Sequence, residues 1–145
     1  IIANRGFYYI PHVIKRIDND TIPAKFSKKY HTSIDPQHFK IVIDGMEQVL
    51  ENIDGTAFTR KVEGISICGK TGTAENPHGD DHSIFIAFAP KENPEIAIAV
   101  YVENAGGGSI WAAPIATLII EKYLNNTISR TLLEKQILNG NLKDK

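Results

Sequence analysis

Cysteine is almost absent: Cys68 is the only one in 145 residues. That excludes an internal disulfide and a cysteine-built metal cluster. It leaves the compartment open, because many exported proteins also lack disulfides. No apolar run approaches the roughly 20 residues that cross a bilayer. Charge of either sign is not in excess: the net value is −1, and no basic stripe with interleaved aromatics is present, so nothing electrostatic points to nucleic acid. There is no initiator methionine, and Ile1-Ile2-Ala3-Asn4-Arg5-Gly6 lacks the charged n-region of a signal peptide. This opening reads instead as the last turn of a helix and its glycine stop. Ile1 is therefore expected to be a cut point inside a longer protein, with targeting information upstream. The five histidines (His12, His31, His38, His78 and His82) include no i, i+4 helical pair of the metal-binding kind.

What is present is ordinary in bulk. Hydrophobic content of 42% and charged content of 23% suit one globular domain with a sizeable core. Residues 7–17 are rich in β-formers, Asp18-Asn19-Asp20 is a turn cluster, and 21–33 is expected to return as a second extended arm. Pro11 and Pro23 make this an exposed ribbon rather than a central strand. Asp35 and Pro36 form a helix start. Phe39, Val42, Ile43, Met46, Val49, Leu50 and Ile53 repeat at helical spacing, which predicts a helix over 36–52 that Asp54-Gly55 ends.

Strands are expected at 65–73, 82–90 and 95–103. The last two are joined by the short polar segment Lys91-Glu92-Asn93-Pro94 as an antiparallel hairpin. Their nearly continuous apolar cores predict burial on both faces, and hence helices on both sides of the sheet. Gly106-Gly107-Gly108 is a break. Ser109 is the expected cap of a helix over 110–125, with Pro114 in its first turn and Ala116, Ile119, Ile120 and Tyr123 as its buried stripe. Residues 127–145 carry a weaker pattern and are expected to hold a short peripheral helix with a frayed tail.

Lys70-Thr71-Gly72-Thr73 closes the first of these strands. Thr71 and Thr73 share a face because strand positions alternate. Lys70 brings positive charge toward an anionic substrate. Gly72, with no Cβ, allows a substrate backbone to lie close. Taken alone, the triplet is also what a strand ending in a turn looks like. Lys-Thr-Gly is, however, one of three motifs of serine penicillin-interacting enzymes; the others, Ser-x-x-Lys and Ser-x-Asn or Ser-Asp-Asn, occur nowhere in this chain. Other candidates read as bland. Cys68, on the face of Lys70, is a packed residue. The loop with His78, Asp80, Asp81 and His82 is a solvated loop rather than a cation site. Glu103 and Asn104 serve a turn, and Trp111 belongs to the core.

The wider segment resembles the C-terminal half of the transpeptidase domain of class B penicillin-binding proteins, most of all the elongation-type enzyme (penicillin-binding protein 2-like). The likeness runs from Gly69 through Pro77, His78-Gly79-Asp80-Asp81-His82 and Phe85-Ile86-Ala87-Phe88-Ala89-Pro90. It continues in Ile98-Ala99-Val100, Val102-Glu103-Asn104, Gly107-Gly108 and Ala112 to Ala116. Upstream, Ala3-Asn4-Arg5-Gly6, Pro11 to Lys15 and Gly55-Thr56-Ala57 are also similar to the family.

The resemblance implies an α+β fold: part of the serine β-lactamase and transpeptidase fold, with a three-strand antiparallel meander and covering helices. It divides the chain into 1–124, half of a transpeptidase domain, and 125–145, an unassigned extension. It implies no cofactor and no metal. By resemblance, Lys70 hydrogen-bonds within the catalytic network. Thr71 and Thr73 hold the terminal carboxylate of a stem peptide or a β-lactam, beside Gly72, and the Thr73 N–H is one oxyanion donor. Glu75 stands where relatives often carry Gln and bears on any amide contact there. The parent is expected on the periplasmic face of the inner membrane, anchored by a segment outside this chain. The edge at 95–103 is expected to be open to self-association. The isolated chain is expected to be inactive. A β-lactamase or β-lactam sensor of the same fold remains an alternative, as does a degenerate domain that binds peptidoglycan or a partner protein.

Overall fold

A computed structural model describes residues 1–14 and 22–142. The chain divides into two compact units, Ile1–Val42 and Ile43–Lys145.

The first unit opens on a helix-end motif. Gly6 N–H donates to the Ile1 carbonyl at 3.0 Å and Arg5 N–H to the Ile2 carbonyl at 2.9 Å. This is the Schellman pattern, with Arg5 (φ 52°) rather than glycine in the left-handed position. Strands β1 (Phe7–Tyr8) and β2 (Tyr30–His31) pair antiparallel, and the Tyr8 and Tyr30 rings stack at 5.7 Å. The arm expected to be extended over 21–33 is interrupted by a helical turn, α1 (Ala24–Ser27), entered from Pro23. The fixed φ of Pro23 and the helix formers behind it outweigh the local β-propensity. The turn cluster Asp18-Asn19-Asp20 lies outside the described residues.

Helix α2 (Pro36–Glu51) begins in the first unit and ends in the second. The Asp35 carboxylate accepts the Gln37 N–H at 3.0 Å, as an N-cap should. Phe39, Ile43, Met46 and Leu50 form its buried stripe, whereas Val42 and Ile53, which fit the same period, are exposed. An amphipathic helix buries only one arc, which Val42 flanks, and Ile53 lies past the end of the helix at Glu51.

In the second unit β3 (Cys68–Ala74), β4 (His82–Ala89) and β5 (Ile96–Val102) form an antiparallel meander in the order β3-β4-β5. The register sets Thr71 opposite Phe85 and Thr73 opposite Ser83. Helix α3 (Ala112–Asn125) covers one face. Its Ala112, Ala113, Ala116 and Ile120 form one cluster with Phe85, Ala87 and Ala89, with Ile96, Ile98, Val100 and Val102 packed against it. The three alanines let the helix lie close to the sheet.

The other face is not covered along its length, contrary to the expectation from the apolar runs. β5 alternates between half-buried and exposed residues, with Ala97, Ala99 and Tyr101 open, and Ile86 of β4 is 41% exposed. Among the described residues, the helix packed on β5 lies on one face only, so the strand keeps the one-sided alternation of an antiparallel sheet. β5 is the outer strand, as expected of segment 95–103.

The second half of α2 is tied to this sheet by Lys91, in the β4–β5 connection. Its ammonium lies 2.7 Å from Glu47 Oε2 and 2.9 Å from Asp44 Oδ1. Hydrogen bonds to Glu47 and then Asp44 hold its pKa above the ordinary lysine value. Ser66 Oγ donates to the other oxygen of Glu47 at 3.1 Å.

Two expectations for α3 fail. Ser109 does not cap it. Ser83, fully buried on β4, accepts the Ala112 N–H at 3.0 Å and donates to the Gly107 carbonyl at 2.9 Å. The buried stripe is also rotated: Ile119 and Tyr123 are 46% and 57% exposed, while Thr117 and Glu121 are buried. The reason for Thr117 and Glu121 is the polar partner that meets them, Arg130, described below. Helix α4 (Thr131–Leu138) is the peripheral helix expected in the tail.

Ser83→Ala is expected to leave the Ala112 N–H without a partner and to strip the Gly107 carbonyl to its bond from the Ile110 N–H, at a cost of about 1–3 kcal/mol. A melt should fall by roughly 3–10 °C; an unchanged melting temperature would show that Ser83 does not hold α3.

Candidate active site

Strand β3 carries Lys70, Thr71, Gly72 and Thr73 at an edge of the sheet, and no strand of the described residues pairs with its outer side. Alternation places Thr71 and Thr73 on the face shared with Phe85 and Ser83, and Lys70 and Gly72 on the opposite one. Thr73 and Lys70 are exposed; Thr71 and Gly72 are half-buried. The Lys70 ammonium turns back and donates to the Thr71 carbonyl at 2.7 Å. The Thr71 hydroxyl lies 2.8 Å from that of Thr56, in the loop after α2. The four motif residues therefore sit together, as the sequence placed them, and Thr56 joins them.

A second wall comes from the glycine break. A Cβ on Gly108 would lie 2.3 Å from the Ile84 carbonyl oxygen and 2.5 Å from that of Gly72. Only glycine allows the loop to lie directly on the β3–β4 backbone there. The loop thus rests on the backbone of Gly72, whereas a Cβ on Gly72 itself would point to the other face and meet Ile84 at 3.3 Å. The Thr73 hydroxyl oxygen is 4.0 Å from where a Cβ of Gly107 would be. Ser83 holds the Gly107 carbonyl, and Arg60 Nε donates to the Ser109 carbonyl at 3.4 Å.

The strand end is closed by a network that ties up the other sequence candidates. Asp81 accepts the Asn76 N–H on its carboxylate at 3.2 Å, and its carbonyl accepts the N–H groups of Ala105 and Gly106. Asn76 donates to the Asn104 side chain at 2.7 Å. His82 Nδ1 accepts the Asn104 N–H at 3.1 Å, and its ring packs on Tyr101 with centroids 5.3 Å apart. Asn104, at φ 53°, serves the turn as expected. Among the described residues no group of three or more His, Cys, Asp or Glu is gathered in metal-ligating geometry. Cys68 is fully buried, so its thiol is a packed group. Glu75 is exposed just beyond β3. Thr56, Ser83 and Arg60 carried no signal of their own in the sequence. Thr56 stood only inside a loop that resembled the family, and the other two act across separations of 24 to 49 residues.

An edge strand with no strand of the described residues on its outer side, two hydroxyls on one face and a nearby ammonium can receive an extended peptide that ends in a carboxylate. The family described as the penicillin-binding protein transpeptidase domain matches residues 1–121. The peptidoglycan D,D-transpeptidase MrdA of Haemophilus influenzae is 29% identical over 88% of this chain, which spans 23% of that protein's length. The crystal structure of Pseudomonas aeruginosa PBP2 in complex with WCK 5153 is 33% identical with a TM-score of 0.73, over 90% of this chain and 29% of that one. The penicillin G acyl-enzyme complex of penicillin-binding protein A from Mycobacterium tuberculosis is 32% identical with a TM-score of 0.64, over 85% of this chain and 29% of that one. On this match over most of its length, with the Lys-Thr-Gly-Thr strand at the sheet edge, the chain belongs to the penicillin-binding protein transpeptidase domain family.

Proposed function

We propose that these residues form one wall of the active site of a peptidoglycan D,D-transpeptidase. The observation that carries this is the edge strand β3, with the Thr71 hydroxyl held by Thr56 and the glycine loop packed beside Thr73. In this reading Thr71 and Thr73 hydrogen-bond the terminal carboxylate of a D-Ala-D-Ala stem peptide, or of a β-lactam that imitates it. The Thr73 N–H is one donor to the oxyanion. Lys70 supplies positive charge to the cleft and joins the proton network around the nucleophile.

The nucleophile is a serine outside these residues, since the chain contains no Ser-x-x-Lys. Its Oγ attacks the penultimate D-Ala carbonyl, the terminal D-Ala leaves as the amine, and an amine of a neighbouring stem then displaces the serine from the acyl ester. Chemistry on stem peptides places the whole protein at the outer face of the cytoplasmic membrane. Among the described residues no helix is long and apolar enough to cross a membrane, so an anchor in this reading also lies outside the chain.

The test is covalent labelling of the full-length gene product with a fluorescent penicillin. A stable label that benzylpenicillin competes away is expected, and Lys70→Ala should slow labelling by about a hundredfold or more. Rapid loss of label with hydrolysis of the drug would make the protein a β-lactamase. No label at all would leave a non-catalytic binding domain.

A further inference from the structure

We infer that Arg130 is a positioning residue for this site, acting from beyond the part of the chain that matches the family. The match ends at residue 121. Arg130 lies in the connection from α3 to α4 and reaches back across 70 residues, donating from Nη1 to the Arg60 carbonyl at 3.0 Å. The same nitrogen lies 3.5 Å from the Lys61 carbonyl and 3.2 Å from Thr117 Oγ1.

The target is the end of the 3-10 turn Phe58–Arg60. Carbonyls at the end of a helical turn have no partner within the turn and carry its negative dipole end. A guanidinium satisfies both needs, and its planar fork is itself fixed on the far side. Arg130 Nε donates to Glu121 Oε2 at 2.8 Å, while the other oxygen of Glu121 accepts both the N–H and the hydroxyl of Ser129 at 2.7 and 2.6 Å. Glu121 is 1% exposed.

The braced turn is short and internally bonded: Phe58 N–H donates to Gly55 and Arg60 N–H to Ala57. Its two ends meet the two walls of the site. Just before it, Thr56 bonds Thr71 of the motif strand. From its last residue, Arg60 Nε bonds the Ser109 carbonyl at the end of the glycine loop. Anchoring the turn at Arg60 therefore sets where the Thr56 hydroxyl lies, and with it the orientation of Thr71. The inference rests on the proposed role of Thr71 in binding the substrate carboxylate.

The experiment is a double-substitution cycle in the full-length protein, read as the rate of labelling by a fluorescent penicillin, with a melt of each variant. Arg130→Lys keeps a positive charge beside Glu121, but one ammonium cannot span Glu121 and the Arg60 carbonyl. Thr56→Val removes only the hydroxyl that meets Thr71. Each single change is expected to slow labelling by about three- to tenfold, and the double variant should be little slower than the slower single one. A merely structural Arg130 would not share its effect with Thr56.

Folded Arg130→Lys and Arg130→Gln that label at the parent rate would overturn the proposal. So would effects that multiply in the double variant, or loss of the fold in both Arg130 variants. An unlabelled parent would instead overturn the transpeptidase reading. The positioning claim would then be judged by the methyl NMR signals of Thr56 and Thr71. Both should move in Arg130→Lys, and unmoved signals would overturn it.

Discussion

Glu121→Gln is expected to destabilise the protein by about 3–5 kcal/mol, the cost of breaking a buried ion pair and leaving one charge alone. The carboxylate is 1% exposed and accepts hydrogen bonds from Ser129 N, Ser129 Oγ and Arg130 Nε. Burial by itself would push its pKa up. The hydrogen bonds from Ser129 and Arg130 outweigh that and bring it below the ordinary 4.5. A group whose folded pKa is depressed stabilises the fold fully above its unfolded value. That contribution is lost as pH falls from about 4.5 through the folded value. The parent should therefore melt roughly 10 °C above Glu121→Gln near neutral pH. The gap should narrow below pH 4.5 as the parent loses the contribution the variant never had. A gap that stays constant down to strong acid would show that the ionised carboxylate is not what holds α3 to the 129–130 connection.

Gly108→Ala should have the second large effect, on stability and on the site together. The added methyl would meet the Ile84 carbonyl oxygen at 2.3 Å, the Gly72 carbonyl oxygen at 2.5 Å and the Gly72 nitrogen at 2.9 Å. All three are backbone atoms of paired strands and cannot swing away, so the loop must lift. Overpacking of this kind costs about 1–3 kcal/mol, sometimes more. The lift also carries Gly107 away from Thr73 and strains its bond from Ser83. Misplacement near 1 Å can cost about a hundredfold in rate, so labelling of the full-length protein by a fluorescent penicillin should slow by at least about tenfold. Gly107→Ala is the contrast for stability: its Cβ would meet nothing nearer than 3.8 Å, and its melt should match the parent. Parent-like melting and labelling in Gly108→Ala would mean that the loop does not rest on β3.

The motif strand, the hairpin beside it, helix α2 and the small tail helix were all legible, because each rests on local order. Period-two and period-3.6 patterns, the Asp35-Pro36 start and the polar 91–94 connection act within a few residues of themselves. The family was legible for the same reason: its motifs are short and contiguous. The misreadings share the opposite character. Ser109 is next to α3 and looked like its cap, yet Ser83, 29 residues from Ala112, does that work. Ile119 and Tyr123 fit the helical period, yet the arc that faces the sheet runs through Ala112, Ala116 and Ile120. The apolar runs of β4 and β5 suggested two covered faces, and among the described residues the helix packed on β5 lies on one face only.

The sequence by itself therefore determined the longer elements, α2, β3 to β5, α3 and α4, with their order, and the contiguous motif Lys70 to Thr73, but neither the turn α1 nor the 3-10 turn Phe58–Arg60. Tertiary structure alone decided what surrounds them: Thr56 on Thr71, Gly108 on Gly72, Ser83 between the glycine loop and α3, and Arg130 on the turn at Arg60. These are single hydrogen bonds and single close approaches between distant parts of the chain. They depend on where backbones meet in space, and no periodicity or composition records that.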